Sequence, residues 1–165
     1  MKEKKGEHPW GDAGQLIALG VFLVVWAGDS FFLHASIFLS NTVPLPIRLA
    51  IFGLALVAAL WLVRSGHIAV SEEQRPARVI TGGVFRHVRH PLYLAALLGY
   101  LGLTALTLSL LSLALWGGIF VFYNYIASYE ESLMEIKFGA EYRRYKEKTG
   151  KWLPILSSFL AKGQN

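Results

Sequence analysis

The chain contains no cysteine among its 165 residues. Disulfide bonds, thiolate catalysis and zinc sites built on cysteine are therefore excluded. Charged residues are also scarce, since they make up 16% of the chain, whereas apolar residues make up 54%. A typical soluble domain has about 25% charged residues, so this composition indicates a membrane protein.

Asp, Glu, Lys and Arg are all missing from residues 90–129, a run of 40 positions. Because one membrane-spanning helix needs about 20 apolar residues, this run is long enough for two. Small hydroxyl residues interrupt the leucines over 104–109 and predict a turn there. The sequence therefore predicts a hairpin of transmembrane helices over 91–106 and 109–128.

Two further apolar segments lie upstream, over 13–38 and 46–63. Asn41 and the prolines that follow it predict a loop between them, with Pro46 in the first turn of the second helix. The first segment is too long for the apolar core of a signal peptide and contains Asp29, which favours a retained span. The predicted fold is an all-α integral membrane protein with four transmembrane helices.

Lysine and arginine are distributed unevenly around these spans. Fifteen of the 16 lie in the N-terminal tail (1–12), the loop 64–90 and the C-terminal tail (129–165), and only Arg48 lies in the two opposite loops. Positive residues favour the cytoplasmic side, so both termini are predicted to be cytoplasmic. The net charge of +5 follows from this bias and from contact with anionic lipid, and does not indicate nucleic-acid binding.

The C-terminal tail is predicted to be an amphipathic helical segment that lies along the membrane surface. Leu133, Met134 and Phe138 form one apolar stripe, which Tyr142 continues. Gly139 is expected to break the tail into two helices.

Polar residues are concentrated in "RHVRHPLY", residues 86–93, directly before the third span. In the predicted hairpin, this start of the third span lies beside the end of the fourth. Arg89, His90 and Tyr93 can therefore meet Glu130 and Glu131, and such a pocket suits a zwitterion. An alternative is purely structural, in which these residues anchor the span and staple the hairpin.

Two other polar residues lie inside apolar segments. An intramembrane acid is a functional candidate by default, but Asp29 lies far from the cytoplasmic face, so we expect it to form hydrogen bonds between helices. Asn124 is a lone amide in an apolar helix shortly before Glu130. His67 and His87 could join His90 around a metal, but their spacing does not support a metal site.

Small residues recur at intervals of four in the last two spans, at Ala95 and Gly99 and at Ala114 and Gly118. Such spacing allows close packing between membrane helices. We expect these residues to serve the architecture.

The motif "GGVFRHVRHPLY", followed 40 residues later by "EESLMEIKFGAEYRRYKEKTGKWLP", resembles the isoprenylcysteine carboxyl methyltransferase family and the related phospholipid methyltransferases. The resemblance covers about residues 75–154. It implies a bacterial-type member, in a bacterial or archaeal plasma membrane, that transfers a methyl group from S-adenosylmethionine to a lipophilic or lipid-linked acceptor.

The resemblance also implies which residues form the site. Glu130 is the expected polar anchor. Together with Arg89 and Asn124, which the polar pattern of the sequence singles out, it makes up the predicted catalytic set. The cofactor-binding residues implied are Val79, Ile80, Phe85, His90, Pro91, Leu92, Tyr93, Glu130 and Glu131. No nucleophilic side chain is needed, because the sulfonium already activates the methyl group and the protein chiefly aligns the reactants.

One departure from the family pattern bears on the acceptor. Ile126 occupies the position where eukaryotic and some archaeal members have an arginine associated with the substrate carboxylate, so an amine or thiol acceptor becomes more plausible. Two other functions stay open on the sequence: an NADPH-dependent sterol-type membrane reductase, and a non-catalytic membrane binding or scaffold protein in which Arg89 and Glu130 form a structural pair.

Overall fold

The computed structural model describes residues 11–72 and 78–155. Most of the predicted N-terminal tail, part of the predicted loop 64–90 and the end of the C-terminal tail lie outside the described residues.

The described chain is helical throughout, with short connections. Its α-helices are α1 (Gly11–Ala27), α2 (Leu45–Glu72), α3 (Pro91–Thr107), α4 (Leu110–Phe138) and α5 (Ala140–Lys148). A π-helical turn (Gly28–Leu33) extends α1, and 3-10 turns cover Phe38–Asn41 and Gly83–Arg86. The all-α prediction is confirmed for these residues.

Three segments are long and apolar enough to cross a membrane: Ala13–Leu33, Leu45–Ile68 and Leu110–Phe138. Helix α3 is also apolar but has only 17 residues, about 25 Å of helix. The chain is therefore a multi-pass membrane protein, and the fourth span stays a prediction.

Two helices end elsewhere than the sequence predicts. The first helical segment ends at Leu33 rather than at 38, because His34 adopts a left-handed conformation (φ 52°) and donates its backbone N–H to the carbonyl of Asp29. Helix α2 continues to Glu72, so the first part of the predicted loop 64–90 is helical.

The end of the hairpin also differs in detail. Helix α4 runs unbroken from Leu110 to Phe138, so the predicted tail begins as a continuation of that helix. Gly139, at φ +55°, then separates α4 from α5, and the predicted break at this glycine is confirmed.

Helix α3 lies between α2 and α4. The approach to α2 is closest at Gly102, where an added Cβ would lie 3.0 Å from the side chain of Ala55. Ala95 is buried against α2, as its spacing predicts, whereas Ala114 and Gly118 are exposed. The predicted small-residue packing therefore holds for Ala95 but not for Gly99, where an added Cβ would meet nothing within 4 Å, nor for the two residues of α4.

The main core lies where α1, α3 and α4 meet. It consists of large apolar and aromatic side chains that are almost fully buried: Phe22, Tyr93, Leu97, Tyr100, Ile119, Tyr123, Ile126 and Ala127. Such a core fixes the rotation of α3 against α4, and with it the direction of the polar residues at the beginning of α3.

Asp29 connects the segment after α1 to the turn between α3 and α4. Its carboxylate accepts hydrogen bonds from the backbone N–H and hydroxyl of Ser36 and from the hydroxyl of Ser109. Ser109 is also the N-cap of α4, where its hydroxyl accepts the N–H of Ser112. The predicted role of Asp29 in hydrogen bonding between helices is confirmed.

Candidate functional site

The site begins at the first turn of α3. Pro91 occupies the first helical position, where its missing N–H has no intrahelical acceptor to lose, and His90 precedes it as N-cap. The side chain of His90 makes no capping hydrogen bond. Its ring therefore points away from the helix end and toward α4.

Two glutamates of α4 meet this ring. His90 Nε2 lies 3.1 Å from Glu131 Oε1, and His90 Nδ1 lies 3.8 Å from Glu130 Oε2. One turn into α3, the hydroxyl of Tyr93 donates to Glu130 Oε1 at 2.6 Å. These residues, together with Arg89, are called the His–Glu cluster below.

The two carboxylates differ in their surroundings. Glu131 is the more enclosed, with 7% of its side chain exposed, and faces Arg89 at 3.0 Å and Lys146 at 3.7 Å. Glu130 keeps 17% of its side chain exposed. Glu131 thus has several cationic partners within the protein, while the side chain of Glu130 is the more exposed of the two.

Arg89 connects the His–Glu cluster to the segment after α5. Its Nε donates to Glu131, and its Nη1 donates to the carbonyls of Lys146 at 3.0 Å and Thr149 at 2.6 Å. Its backbone N–H donates to the carbonyl of Gly150, beside the parallel bridge between Val88 and Gly150. The planar guanidinium suits this work because its donors are fixed in a fork.

Tyr145 of α5 binds the loop that precedes α3. Its hydroxyl donates to the carbonyl of Phe85 at 2.7 Å, in the 3-10 turn that starts at Gly83, φ +54°. Burial raises the pKa of Tyr145 and of its neighbour Tyr142, so both hydroxyls stay protonated. Helix α5 therefore binds the loop through Tyr145.

An aromatic surface adjoins the cluster. The ring of His90 stacks on Tyr93, with centroids 5.7 Å apart, and lies 6.0 Å from Trp152. Trp152 also contacts Phe120, and its indole N–H donates to Asn124 Oδ1 at 3.2 Å. The cluster thus presents both π faces and carboxylate oxygens, a combination that suits an organic cation.

Lys151 lies next to Trp152 along α4. Its ammonium donates to Ser128 Oγ at 2.6 Å and to both oxygens of Asn124 at 3.2 and 3.3 Å. Burial lowers the pKa of Lys151, and the nearby charge of Arg89 acts in the same direction, while Glu131 opposes both. Asn124, a lone amide in the sequence, therefore holds two residues of the C-terminal segment in place.

The structure brings together five of the predicted site residues in direct contact: Arg89, His90, Tyr93, Glu130 and Glu131. Asn124 joins them through Trp152. Pro91 is buried at the helix start.

The remaining predicted residues lie around or away from the cluster. Val79 donates its backbone N–H to Glu141 of α5 at 3.2 Å, and Ile80 follows it, partly buried. Phe85 contributes its carbonyl to Tyr145 rather than its ring to the cluster. Leu92 is not brought into the cluster: 39% of it is exposed, and its side chain packs beside Gly66 of α2.

Sequence reasoning assigned no role to Trp152, Lys151 or Thr149, although all three touch the site. The signal was the "TGKWLP" element, which follows α5 directly. Its residues return to the cluster by pairing with the loop before α3, which is a nonlocal contact that no periodicity indicates.

Comparison with known proteins agrees with the motifs. A family model described as phospholipid methyltransferase matches residues 47–141, more than half of the chain. The chain is 28% identical over 95 residues to protein-S-isoprenylcysteine O-methyltransferase of Schizosaccharomyces pombe, covering 54% of this chain and 39% of that protein. It is 33% identical over 85 residues to methanethiol S-methyltransferase 1 of Bradyrhizobium diazoefficiens, covering 52% of this chain and 29% of that protein.

The chain thus spans less than half the length of either relative. No solved structure matches it. The resemblance predicted from the motifs is confirmed.

Proposed function

The chain belongs to the phospholipid methyltransferase family, and on this premise we propose that it transfers a methyl group from S-adenosylmethionine to a lipophilic or lipid-linked acceptor at the cytoplasmic membrane face. The observation that carries the proposal is the contact of His90 and Tyr93, at the beginning of α3, with Glu130 near the end of α4. These are the residues that the family motif assigns to the cofactor.

The residues of the His–Glu cluster fit the chemical groups of this cofactor. Its sulfonium and its ammonium are cations, and Glu130 offers partly exposed carboxylate oxygen beside the rings of His90, Tyr93 and Trp152. The carboxylate of the cofactor suits the first turn of α3. The backbone N–H groups there lack intrahelical acceptors and carry the positive end of the helix dipole.

We assign the predicted site residues two kinds of work. Glu130, His90 and Tyr93 contact the cofactor, and main-chain groups of Val79 and Ile80 border it from the loop. Arg89 and Asn124 act through other residues, since each is engaged with the C-terminal segment. The catalytic role predicted for these two is thereby recast as positioning, and Glu131 holds Arg89 and His90.

When bound, S-adenosylmethionine would supply a methyl group on a sulfonium, and transfer to the lone pair of an acceptor would leave the electron pair of the broken carbon–sulfur bond on sulfur. For such a displacement, the protein has to align the groups and exclude water. Trp152 and Phe120 cover one side of His90 and can exclude water there. A proton lost by a thiol or amine acceptor would leave to water at the membrane boundary, beside the partly exposed side chain of Glu130.

Ile126 offers no charged or polar group to bind a carboxylate of the methyl acceptor. This side chain is fully buried in the core between α3 and α4, so it cannot contact a substrate carboxylate. Within the described residues, the cationic side chains around the cluster, Arg89, Lys146 and Lys151, already pair with protein oxygens. We therefore favour an amine or thiol acceptor over a carboxylate.

The length of α4 supports a site at the membrane boundary. Its 29 residues make about 43 Å of helix, against a hydrocarbon core of about 30 Å. Counted from Leu110, about 20 residues cross that core, which places Glu130 where the helix leaves it. We propose that α3 is the fourth span and that its short length lets its first turn lie level with Glu130, with both termini cytoplasmic.

Titration calorimetry of the purified protein with S-adenosylmethionine tests the cofactor assignment. We expect the wild type to bind, and we expect His90→Ala and Glu130→Gln each to weaken binding at least about tenfold, the loss expected for one charge-assisted hydrogen bond. Each variant should still insert into membranes and elute as the wild type does.

Glu135→Gln is the matched control, because it makes the same chemical change on α4 at a glutamate that pairs with Lys146 instead of His90. It should bind as the wild type does. Absence of binding to the wild type at millimolar cofactor would refute the proposed function. Unchanged affinity in both site variants would refute the assigned site.

A further inference from the structure

The described part of the loop before α3 is bound at three points by α5 and the segment after it. Near its beginning, the backbone N–H of Val79 donates to Glu141 Oε1 at 3.2 Å. Further along, Tyr145 donates to the carbonyl of Phe85, and Arg89 donates to carbonyls at the end of α5 and just after it. The first contact therefore fixes the beginning of the loop, and the other two fix its end.

The contact at Glu141 differs from the other two in its exposure to solvent. Glu141 is exposed, whereas Tyr145 and Thr149 are 8% and 3% exposed. A hydrogen bond between exposed groups contributes little to folding, because water can replace either partner. Loss of the Glu141 carboxylate should therefore leave the helices and the His–Glu cluster folded and release only the beginning of the loop.

The position of Glu141 follows from the start of α5. Gly139, at φ +55°, ends α4, and Glu141 lies in the first turn of the next helix, where the helix dipole favours an anionic side chain. Tyr142 and Tyr145 are buried on the same helix and fix its rotation. The carboxylate of Glu141 is thus held beside the loop, 62 residues away in the chain from its donor.

The donor belongs to the main chain that borders the cofactor in the proposed function, at Val79 and Ile80. A hydrogen bond to the N–H of Val79 limits rotation of the peptide unit that precedes it, and so orients the main chain that follows. A ligand binds with an affinity that falls in proportion to the fraction of protein in the competent conformation. The Glu141 contact can therefore affect cofactor affinity from outside the His–Glu cluster.

We propose that Glu141 is a positioning residue for S-adenosylmethionine, which holds the main chain of Val79 and Ile80 in the conformation that binds the cofactor and does not itself touch the cofactor. This inference rests on the proposed function. It adds a residue of α5 on whose acceptor oxygen, rather than on whose charge, cofactor affinity depends.

Titration calorimetry with S-adenosylmethionine on three variants tests the proposal. We expect Glu141→Ala to weaken binding about threefold to tenfold, the range that corresponds to one hydrogen bond. Glu141→Gln keeps an acceptor oxygen and should bind within about twofold of the wild type. Glu147→Ala is the matched control, because Glu147 is exposed on the same helix and loses the same charge, and it should bind as the wild type does.

Thermal unfolding in detergent separates positioning from folding. All three variants should melt within about 2 °C of the wild type, since exposed substitutions change stability little. Wild-type affinity in Glu141→Ala would overturn the proposal. Equal losses in the alanine and glutamine variants would also overturn it, because the charge would then act directly, as would a clearly lowered melting temperature in Glu141→Ala.

Hydrogen–deuterium exchange of the protein without cofactor measures the contact itself. Peptides that contain Val79 should exchange about threefold to tenfold faster in Glu141→Ala, because the amide loses its acceptor. Peptides that contain Phe85 should not change, and neither should any peptide of Glu141→Gln or Glu147→Ala. Unchanged exchange at Val79 in Glu141→Ala would overturn the proposal even if affinity falls.

The two measurements also distinguish this inference from the proposed function. Failure of the wild type to bind S-adenosylmethionine would refute the proposed function and, with it, the part that the cofactor has here. Faster exchange at Val79 in Glu141→Ala would in that case still assign the position of the loop to Glu141.

Discussion

Replacing Arg89 with alanine should lower the folding stability of the protein, because Arg89 positions other residues rather than contacting the reactants. The substitution leaves the enclosed carboxylate of Glu131 without its guanidinium partner and the carbonyls of Lys146 and Thr149 without a donor. Removing one partner of a buried ion pair typically costs about 3–5 kcal/mol.

We expect the lower end of this range, about 3 kcal/mol, because other cationic groups stay near Glu131. His90 lies at 3.1 Å and Lys146 at 3.7 Å from its oxygens. The measurement is thermal or denaturant unfolding in detergent, followed by the fluorescence of the five tryptophans, one of which is Trp152.

Arg86→Ala is the control, because Arg86 lies three residues away, is exposed and loses the same formal charge. An exposed substitution of this kind usually changes stability by less than about 0.5 kcal/mol. If Arg89→Ala were as stable as Arg86→Ala, the positioning role would be refuted. Wild-type stability together with lost cofactor binding would show instead that Arg89 contacts the cofactor, as the sequence predicts.

Two further substitutions test the segments that hold the site and the opposite end. Gly150→Ala should cost about 1–3 kcal/mol of stability, because its Cβ would collide with the carbonyl oxygen of Leu153, and it should also weaken cofactor binding. Gly82→Ala is the control, since its Cβ would meet nothing within 4 Å, and it should change neither stability nor binding. Equal unfolding and binding calorimetry for the two variants would contradict this account. Asp29→Asn should lower the unfolding temperature and cost about 1–3 kcal/mol of stability, since one carboxylate oxygen that accepts from serine is replaced by a donor. It should leave cofactor affinity unchanged. An altered affinity would show that the Asp29 end of the hairpin is coupled to the end with the His–Glu cluster.

The meeting of His90 with Glu130 could be predicted from the sequence, because it follows from topology alone. A charge-free run of two helix lengths folds back on itself, and the polar groups at its two ends then lie at the same end of the hairpin. The family motif named the same residues. Neither argument depends on side-chain rotation, which explains why both agree with the structure.

The direction of individual side chains could not be predicted in this way. Successive residues of a helix point about 100° apart, so Tyr93 faces α4 while Leu92, its neighbour, faces α2. The rotation of α3 is set by its packing against Phe52 and Ala55 of α2 at Gly102 and against the core side chains of α4. Those contacts are tertiary and leave no mark on the local sequence of α3.

The hydrogen bonds of Arg89 could not be predicted from the sequence for a different reason. Its acceptors are main-chain carbonyls 57 and 60 residues later in the chain. Carbonyls are present at every position, so nothing in the sequence distinguishes Lys146 and Thr149 as acceptors. Charge complementarity alone pointed to the glutamates, and only one of these, Glu131, takes the guanidinium.

The pairing of Val88 with Gly150 has a consequence for biosynthesis. Helix α4 can enter the membrane before residues 146–150 have been translated, but Arg89 has no carbonyls to bind until those residues emerge from the ribosome. Insertion and maturation are therefore separate events, and a nascent chain released early would lie in the bilayer with a His–Glu cluster that Arg89 does not yet connect to the segment after α5. Ribosome stalling on either side of Gly150 would divide these two states in time.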